Sequence, residues 1–387
     1  MKRNPSYTLR ILAGVPYLLP FGQMIADRKR GIRINETGIY LWELLETERS
    51  MEELLTLCAA HYGTDTAVIR KDLETFVRTL SVYGILESAE DVSLPSSAPA
   101  LSLEIGGLSV KLWGPKEAFS PLFAPFAADP LGRTDLKIFV REGMPDLLSN
   151  GTVLLRNRQL TVMEQAKQYI LLFPATKQIL EAHLSKDGSQ AVFYCISPYT
   201  DSFREELFHA IRLVWLYLAQ RHHIVALHSA SVLYRGRAWL FSGPSGTGKS
   251  THTNLWHRLL KVPILNGDLN LPAFQEDNPM IYGLPWCGTS GISDPGTYPL
   301  GGIILLKQGE TDRVEELSSD LKQLLLLQRL ISPSWSDKLF EENLRCVNRL
   351  TAHVPVCRLH CTMKESAVAV MRSYIDDYLD LGQPLDS

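Results

Sequence analysis

The sequence predicts a mixed α/β (α+β) protein, with a small winged-helix-like domain at the N-terminus followed by a larger domain organised around a phosphate-binding loop. Three observations carry this expectation. An apolar run of strand type, Ala238-Trp239-Leu240-Phe241, enters the turn Gly243-Pro244-Ser245-Gly246-Thr247-Gly248, and a helix-compatible segment with Leu255, Trp256, Leu259 and Leu260 leaves it. Residues 1–88 read as a hairpin, three helices and a closing strand. The stretch 89–100 is small, polar and proline-rich without an apolar period, which marks a linker.

Length and composition agree with more than one domain. A chain of 387 residues exceeds one ordinary core, and 45% hydrophobic with 21% charged residues is the balance of a folded globular protein. Acidic residues (42) and basic residues (39) nearly cancel, so the net charge of -3 gives no electrostatic reason to expect nucleic acid as a partner. No apolar run approaches the ~20 residues of a membrane span. Met1-Lys2-Arg3 leads into Asn4-Pro5, and the run Ile11 to Leu19 contains Gly14 and Pro16, so neither a signal peptide nor a membrane partner is expected. The cysteines Cys58, Cys195, Cys287, Cys346, Cys357 and Cys361 form no framework, which fits reduced thiols in a cytoplasmic protein. His353, Cys357, His360 and Cys361 do cluster. Their spacing matches no standard zinc pattern, and V-P-V-C-R-L-H-C alternates as a half-buried strand, so no metal is expected there.

Taken in order, Tyr7 to Ile11 and Val15 to Leu19 form a hairpin around Ala13-Gly14, and Thr37 to Leu45 reads as a helix. Ser50 caps the next helix, Met51 to Tyr62, with Glu53 completing a capping box. A third helix starts near Asp65, carries Val68, Ile69, Leu73, Phe76, Val77 and Leu80 at helical spacing, and stops near Gly84; Ile85-Leu86 begins the closing strand. This layout, with the phrases I-N-E-T-G-I-Y-L-W-E-L-L and L-S-V-Y-G-I-L, resembles the PqqD-like family of peptide chaperones, the recognition elements of ribosomally made, modified peptides. The resemblance implies that residues 1–88 capture the leader of a precursor peptide as an added strand. A generic winged helix used for packing or for DNA is the other reading. The third helix weighs against DNA, since it mixes Arg70, Lys71, Asp72, Glu74 and Arg78.

Residues 101–200 are expected to form a β-rich lead-in to a core at 201–387, with strands at Leu101 to Ile105, Leu108 to Trp113, Leu136 to Val140, Val153 to Leu155 and Tyr169 to Phe173. Asp201 or Ser202 is expected to cap a long helix through Ala219, striped by Phe203, Leu207, Ile211, Trp215 and Leu218. Ile224 to Val232 then reads as a buried strand, and Arg235-Gly236 as the turn into the strand before the loop.

The loop matches G-x-x-x-x-G-K-[ST] at Gly243, Gly248, Lys249 and Ser250 in its strand–loop–helix setting. Glycines let backbone N–H groups converge on an anion, and the following helix adds its positive dipole end. Lys249 then reaches the β- and γ-phosphates and Ser250 a magnesium ion. Val262 to Asn270 gives a short strand carrying Asp268, placed to hold magnesium or to accept a hydroxyl proton. Tyr282 to Thr289, around Trp286, reads either as a substrate or nucleotide loop or as a packed turn. Leu300 to Lys307 is a strand buried on both faces. Helices near Asp320 to Leu330 and Lys338 to Leu350, a strand Val354 to Leu359 and a helix Lys364 to Leu381 complete the chain.

The combination L-H-S-A-S-V, F-S-G-P-S-G-T-G-K-S-T, I-L-N-G-D-L-N and Y-G-L-P-W-C-G ahead of P-L-G-G-I-I-L-L-K resembles the HPr kinase-related proteins. Their P-loop fold is shared with phosphoenolpyruvate carboxykinases. Over about residues 101–375 the resemblance implies a kinase that uses ATP (or GTP) and Mg2+ and acts on a Ser or Thr hydroxyl. It implies nucleotide contacts from Gly243, Pro244, Ser245, Gly246, Thr247, Gly248, Lys249, Ser250 and Thr251, metal contacts from Ser250 and Asp268, and catalytic roles for Asp268, Lys249 and His228. The motifs of a switch GTPase are not seen. Where relatives carry two adjacent acids, this chain has Gly267-Asp268-Leu269. Asp268 then serves as base and metal ligand together, or His228 or Asp294 assists. Relatives are often oligomers, so a homo-oligomer is possible. The combined expectation is a kinase for a precursor peptide. A kinase for a small hydroxylated metabolite, and a nucleotide-dependent peptide chaperone without phosphotransfer, both stay open.

Overall fold

In a computed structural model of the chain, the residues described are 1–22, 31–83, 85–87, 97–129, 132–143, 145 and 151–381. The linker expected at 89–100 falls outside them up to residue 96. The protein is a mixed α/β structure whose strands pair both parallel and antiparallel. It divides into two compact units, one of residues 1–97, 141–186 and 193–196, the other of 98–140, 187–192 and 197–387. Among the described residues no helix is long and apolar enough to cross a membrane.

The first unit begins with β1 (Lys2–Arg3), the hairpin β2 (Tyr7–Leu12) and β3 (Val15–Pro20), and β4 (Ile32–Arg33). Then come α1 (Glu36–Leu44), α2 (Met51–Tyr62), α3 (Thr66–Val82) and β5 (Leu86–Glu87), which pairs back with β1. Local chemistry fixes the helix starts. The Asn35 side chain accepts the Gly38 N–H at 2.9 Å, so α1 starts one residue before Thr37. Ser50 and Glu53 form the reciprocal capping box at α2, with the Ser50 N–H donating to Glu53 Oε2 at 2.7 Å. Leu18, Trp42, Leu45, Leu54, Leu55, Val77, Leu80 and Ile85 close one core beneath the hairpin.

Strands dominate the next stretch: β6 (Leu101–Ile105), β7 (Leu108–Trp113), β8 (Leu136–Glu142), β9 (Thr152–Arg156), β10 (Thr161–Glu164), β11 (Gln168–Leu172), β12 (Ile179–Ser185) and β13 (Gln190–Cys195). In the second unit β6 pairs β7 antiparallel and β7 pairs β8 parallel. In the first, β9 to β12 form an antiparallel meander. β12 carries no sequence signal of a strand because its buried face includes Glu181 and His183, paired Oε1 to Nε2 at 2.5 Å, which interrupts the apolar run.

The second unit continues with α4 (Asp201–Arg221), β14 (Leu227–Tyr234), β15 (Arg237–Ser242) and α5 (Lys249–Leu260). Thr200 caps α4, not Asp201 or Ser202: its backbone is extended and its side chain accepts the Phe203 N–H at 3.2 Å, while Asp201 lies inside the first turn and pairs with Arg204. β16 (Ile264–Asn266), β17 (Leu269–Gln275), β18 (Asn278–Tyr282), β19 (Thr297–Gln308) and β20 (Arg313–Glu316) follow. The chain ends in α6 (Ser319–Leu327), α7 (Asp337–His353), β21 (Val356–Cys361) and α8 (Glu365–Asp380). The strand expected at Val262 to Asn270 is thus two strands, broken at Gly267-Asp268 where the Asn266 side chain takes the N–H groups of Asp268 and Leu269.

β19 runs parallel to β15 on one side and to β21 on the other. Strand alternation sends Trp239, Phe241, Ile304 and Leu306 to a core shared with α5 and α8. Ala238, Leu240, Ile303 and Leu305 go to a core shared with α6 and α7. Helices therefore cover both faces of these strands, and β19 is buried throughout its middle as its composition requires. Gly301 and Gly302 make room for the buried Trp239 indole: a Cβ on Gly301 would lie 2.6 Å from Trp239 Cε2. Gly301→Ala should destabilise this unit by about 1–3 kcal/mol through overpacking. In denaturant titrations Trp239→Leu in the same background should cost less than it does in the wild type, because it removes the clash; strictly additive effects would show that the slot is not filled by the indole.

Candidate functional site

The register of β14 builds the site. Its first residues pair with β17, Leu227 opposite Asn270 and His228 opposite Leu269, and the following ones pair with β15, Ser229 opposite Ser242. β15 and β17 flank β14 on opposite sides. The residue before β17, Asp268, and the residue after β15, Gly243, therefore emerge next to the same point. Buried hydrogen bonds fix the junction: Ser242 Oγ donates to His228 O at 2.7 Å, Asn270 Nδ2 to Ser229 O at 2.7 Å, and Ser231 Oγ to Asn270 Oδ1 at 2.6 Å. Satisfied polar groups in a dry core hold a backbone in one arrangement.

The loop from Gly243 to Gly248 turns tightly. Gly246 and Gly248 have φ of 79° and 99°, where a side chain is strained. At Gly243 a Cβ would stand 2.7 Å from Thr247 Oγ1 and 3.1 Å from Leu306 O. Thr247 Oγ1 donates to Pro244 O at 2.7 Å, and Gln308 Nε2 on β19 donates to Gly246 O at 3.1 Å. Pro244, Ser245, Gly246 and Ser250 are exposed, Thr247, Gly248 and Thr251 half-buried. Lys249 opens α5, and its buried side chain folds back under the loop, Nζ donating to Gly243 O at 3.1 Å and to Pro244 O at 3.3 Å. Burial holds its pKa below the ordinary lysine value, with Asp268 acting against that and Arg329 adding to it.

Asp268 faces this lysine in a basic setting. Its carbonyl accepts the Ser229 N–H at 3.0 Å and the His228 Nδ1–H at 3.0 Å, and Nδ1 lies 3.3 Å from carboxylate Oδ1. The hydrogen bond from His228 lowers the carboxyl pKa; burial opposes this, and the charges of Arg212 and Lys249 reinforce it. The His228 and Asp268 side chains stay 28% and 30% exposed, so both are open to a bound molecule. Behind the carboxylate sits the Trp286 loop. Gly288, at φ 59°, packs so tightly that a Cβ there would lie 2.8 Å from Asp268 Cβ, and Trp286 Nε1 donates to Phe208 O of α4 at 2.9 Å. Trp286 is buried against Phe123, Phe208 and Trp215, so this loop is a packed wall and not an open turn. Asp294 is held in its own turn, Oδ1 accepting from the Gly296 N–H at 2.7 Å and the Tyr298 hydroxyl at 2.9 Å.

Three basic residues near Asp268 and Lys249 were not singled out from the sequence: Arg212 and His209 on α4, and Arg329 after α6. Arg212 had a signal of its own, a charge four residues after Phe208 and three before Trp215 on a mostly buried helix. In the cysteine cluster, His353 Nδ1–H donates to Arg349 O, His360 pairs with Glu315, and burial pushes the thiols of Cys357 and Cys361 up to about 12 and about 11. Among the described residues no group of three or more His, Cys, Asp or Glu is arranged to hold a metal ion.

Comparison with known proteins supports the reading of the N-terminal unit. Residues 24–86 match the family of coenzyme PQQ synthesis protein D (PqqD). The PqqD-matching segment spans β4, α1, α2, α3 and the start of β5. No curated protein matches the chain. Among solved structures the chain is similar to the HPr(Ser) kinase/phosphatase from Coxiella burnetii, at 9% identity over 41% of this chain and 99% of that one, with a TM-score of 0.25.

A carboxyl whose pKa is depressed on folding contributes stability above its unfolded pKa and loses it as the pH falls through the folded value. For Asp268 the first cause is His228. His228→Gln should therefore move the Asp268 carboxyl titration to higher pH, followed by carboxyl-carbon NMR, and the acid-unfolding midpoint should rise with it. An unchanged titration would remove His228 as the cause.

Proposed function

We propose that the protein is a kinase that transfers the γ-phosphoryl group of ATP, with magnesium, to a Ser or Thr hydroxyl of a peptide held by the PqqD-like segment. The observation that carries this is the convergence at His228 of the glycine-rich loop with Lys249 and the segment bearing Asp268. The match of residues 24–86 to PqqD, and the peptide-chaperone role that the resemblance implies, support a peptide as the acceptor.

The residues fit these ligands. The first turn of a helix leaves amide N–H groups without carbonyl acceptors. At the head of α5 those of Gly248 to Thr251 would cradle phosphate oxygens, aided by the helix dipole. Lys249, already beneath the loop, would reach the β- and γ-phosphates in place of the Gly243 and Pro244 carbonyls it now contacts. Magnesium takes oxygen ligands and keeps several waters. Ser250, exposed at the loop, and the carboxylate of Asp268 are donors of that kind. When bound, the ion would supply charge neutralisation across the phosphates.

In the transfer, a bond forms between the acceptor hydroxyl oxygen and the γ-phosphorus, the bond to the bridging oxygen breaks, and the nucleoside diphosphate leaves with that electron pair. The hydroxyl proton passes to the Asp268 carboxylate and then to water. His228 orients that carboxylate, and Lys249 offsets charge that moves onto the leaving oxygen. Little covalent help is needed, because positioning and charge stabilisation dominate phosphoryl transfer.

Incubation with labelled ATP, magnesium and a precursor peptide encoded beside the gene should add one phosphoryl group to the peptide, read by mass spectrometry. Lys249→Ala should reduce transfer by about 10²–10³-fold, as loss of one donor to the developing charge does, while peptide capture measured by fluorescence anisotropy stays unchanged. ATP consumption without a phosphopeptide would overturn the kinase reading in favour of a nucleotide-dependent peptide chaperone.

A further inference from the structure

Arg212 is the least explained charge near the site. It lies in the middle of α4, half-buried, and among the described residues its guanidinium makes no hydrogen bond and no ion pair. A half-buried guanidinium without a protein acceptor keeps N–H donors available to a bound anion. Its position on the helix shows where it is directed. Phe208 comes one turn earlier and Trp215 one turn later, and both pack on Trp286. The Trp286 loop in turn brings Gly288 against Asp268. Arg212 thus shares the stripe of α4 that faces the wall behind the carboxylate. Its charge acts on Asp268 and on His209, one turn away on α4.

Asp268 is also acted on by Lys249, which comes from the loop side. An anion lying against Asp268 and the loop therefore lies within the influence of both cations. In phosphoryl transfer one group occupies such a place, the phosphoryl passing between the nucleotide and the acceptor oxygen, with charge spread over its three equatorial oxygens. Resting on the kinase reading, we propose that Arg212 is a catalytic residue that contacts the transferred phosphoryl group and neutralises its equatorial oxygens, opposite Lys249. Its planar fork can hold two oxygens at once, which a lysine cannot. Removing it should lower turnover by on the order of 10³-fold, the lower end for arginines in this role.

The test needs no peptide. Fluoroaluminate with MgADP mimics the planar phosphoryl group, and analogues of a transition state bind at least about 10²-fold more tightly than the ground state. With the full-length chain, fluoroaluminate should tighten MgADP binding by at least about 10²-fold in the wild type. Arg212→Gln should abolish that tightening while binding MgADP alone as the wild type does, which also certifies its fold. Arg212→Lys should restore part of it. Full tightening in Arg212→Gln would overturn the assignment, as would wild-type protein that binds MgADP but ignores fluoroaluminate. Absence of any MgADP binding by the wild type would overturn the kinase reading itself and this inference with it.

Discussion

β14 lies between β15, which it pairs from Ser229 to Tyr234, and β17 and β16, which it pairs through Leu227, His228, Ser231 and Val232, and the larger unit depends on that register. Ser229 faces Ser242 on one side and takes the Asp268 carbonyl on the other, so the loop after β15 and the carboxylate before β17 emerge at the same level of the sheet. Ser229, Ser231, Ser242 and Asn270 keep this register from slipping, since each is buried and hydrogen-bonded. A one-residue slip would turn every side chain of the strand to its other face and leave these groups unsatisfied. Position in the site thus derives from strand pairing, and the loops inherit it.

Electrostatics completes what pairing begins. One carboxylate, Asp268, stands among His228, Lys249 and Arg212, with Arg329 close enough to act on Lys249. Such an excess of positive charge keeps the carboxylate ionised and leaves cationic capacity for an anionic ligand. Beside Asp268, the space at Gly267 goes to Ser290, whose Oγ would lie 2.3 Å from a Cβ on residue 267. A second acid would not fit without moving the segment around Ser290. Asp294 is tied into its own turn, and Asp268 is the carboxylate that acts on Lys249.

What the sequence revealed follows how local the determinant is. The capping box at Ser50 and Glu53, the Ala13-Gly14 hairpin and the strand–turn–helix around Gly243 to Ser250 are each specified within a few residues, and all are formed. The pairing of His228 with Asp268 was legible in part, because each lies at a strand end beside a recognisable pattern. Arg212 was hidden. Its meaning comes from Trp286, which is distant in sequence and meets α4 only in the folded chain. The role of the Trp286 loop was open for the same reason, since Gly288 meets Asp268 only through the break between β16 and β17. Strands such as β12 were obscured by buried polar pairs that interrupt the apolar rhythm.

The central claim is that the loop and the Asp268 segment are two walls of a single nucleotide site. Amide hydrogen exchange of the full-length chain, with and without MgATP, tests it most directly. The account predicts slowed exchange in 243–251 and in 266–269 at the same nucleotide concentration, through two segments that share His228 as their neighbour. Protection of the loop alone, with 266–269 unaffected at saturation, would contradict it.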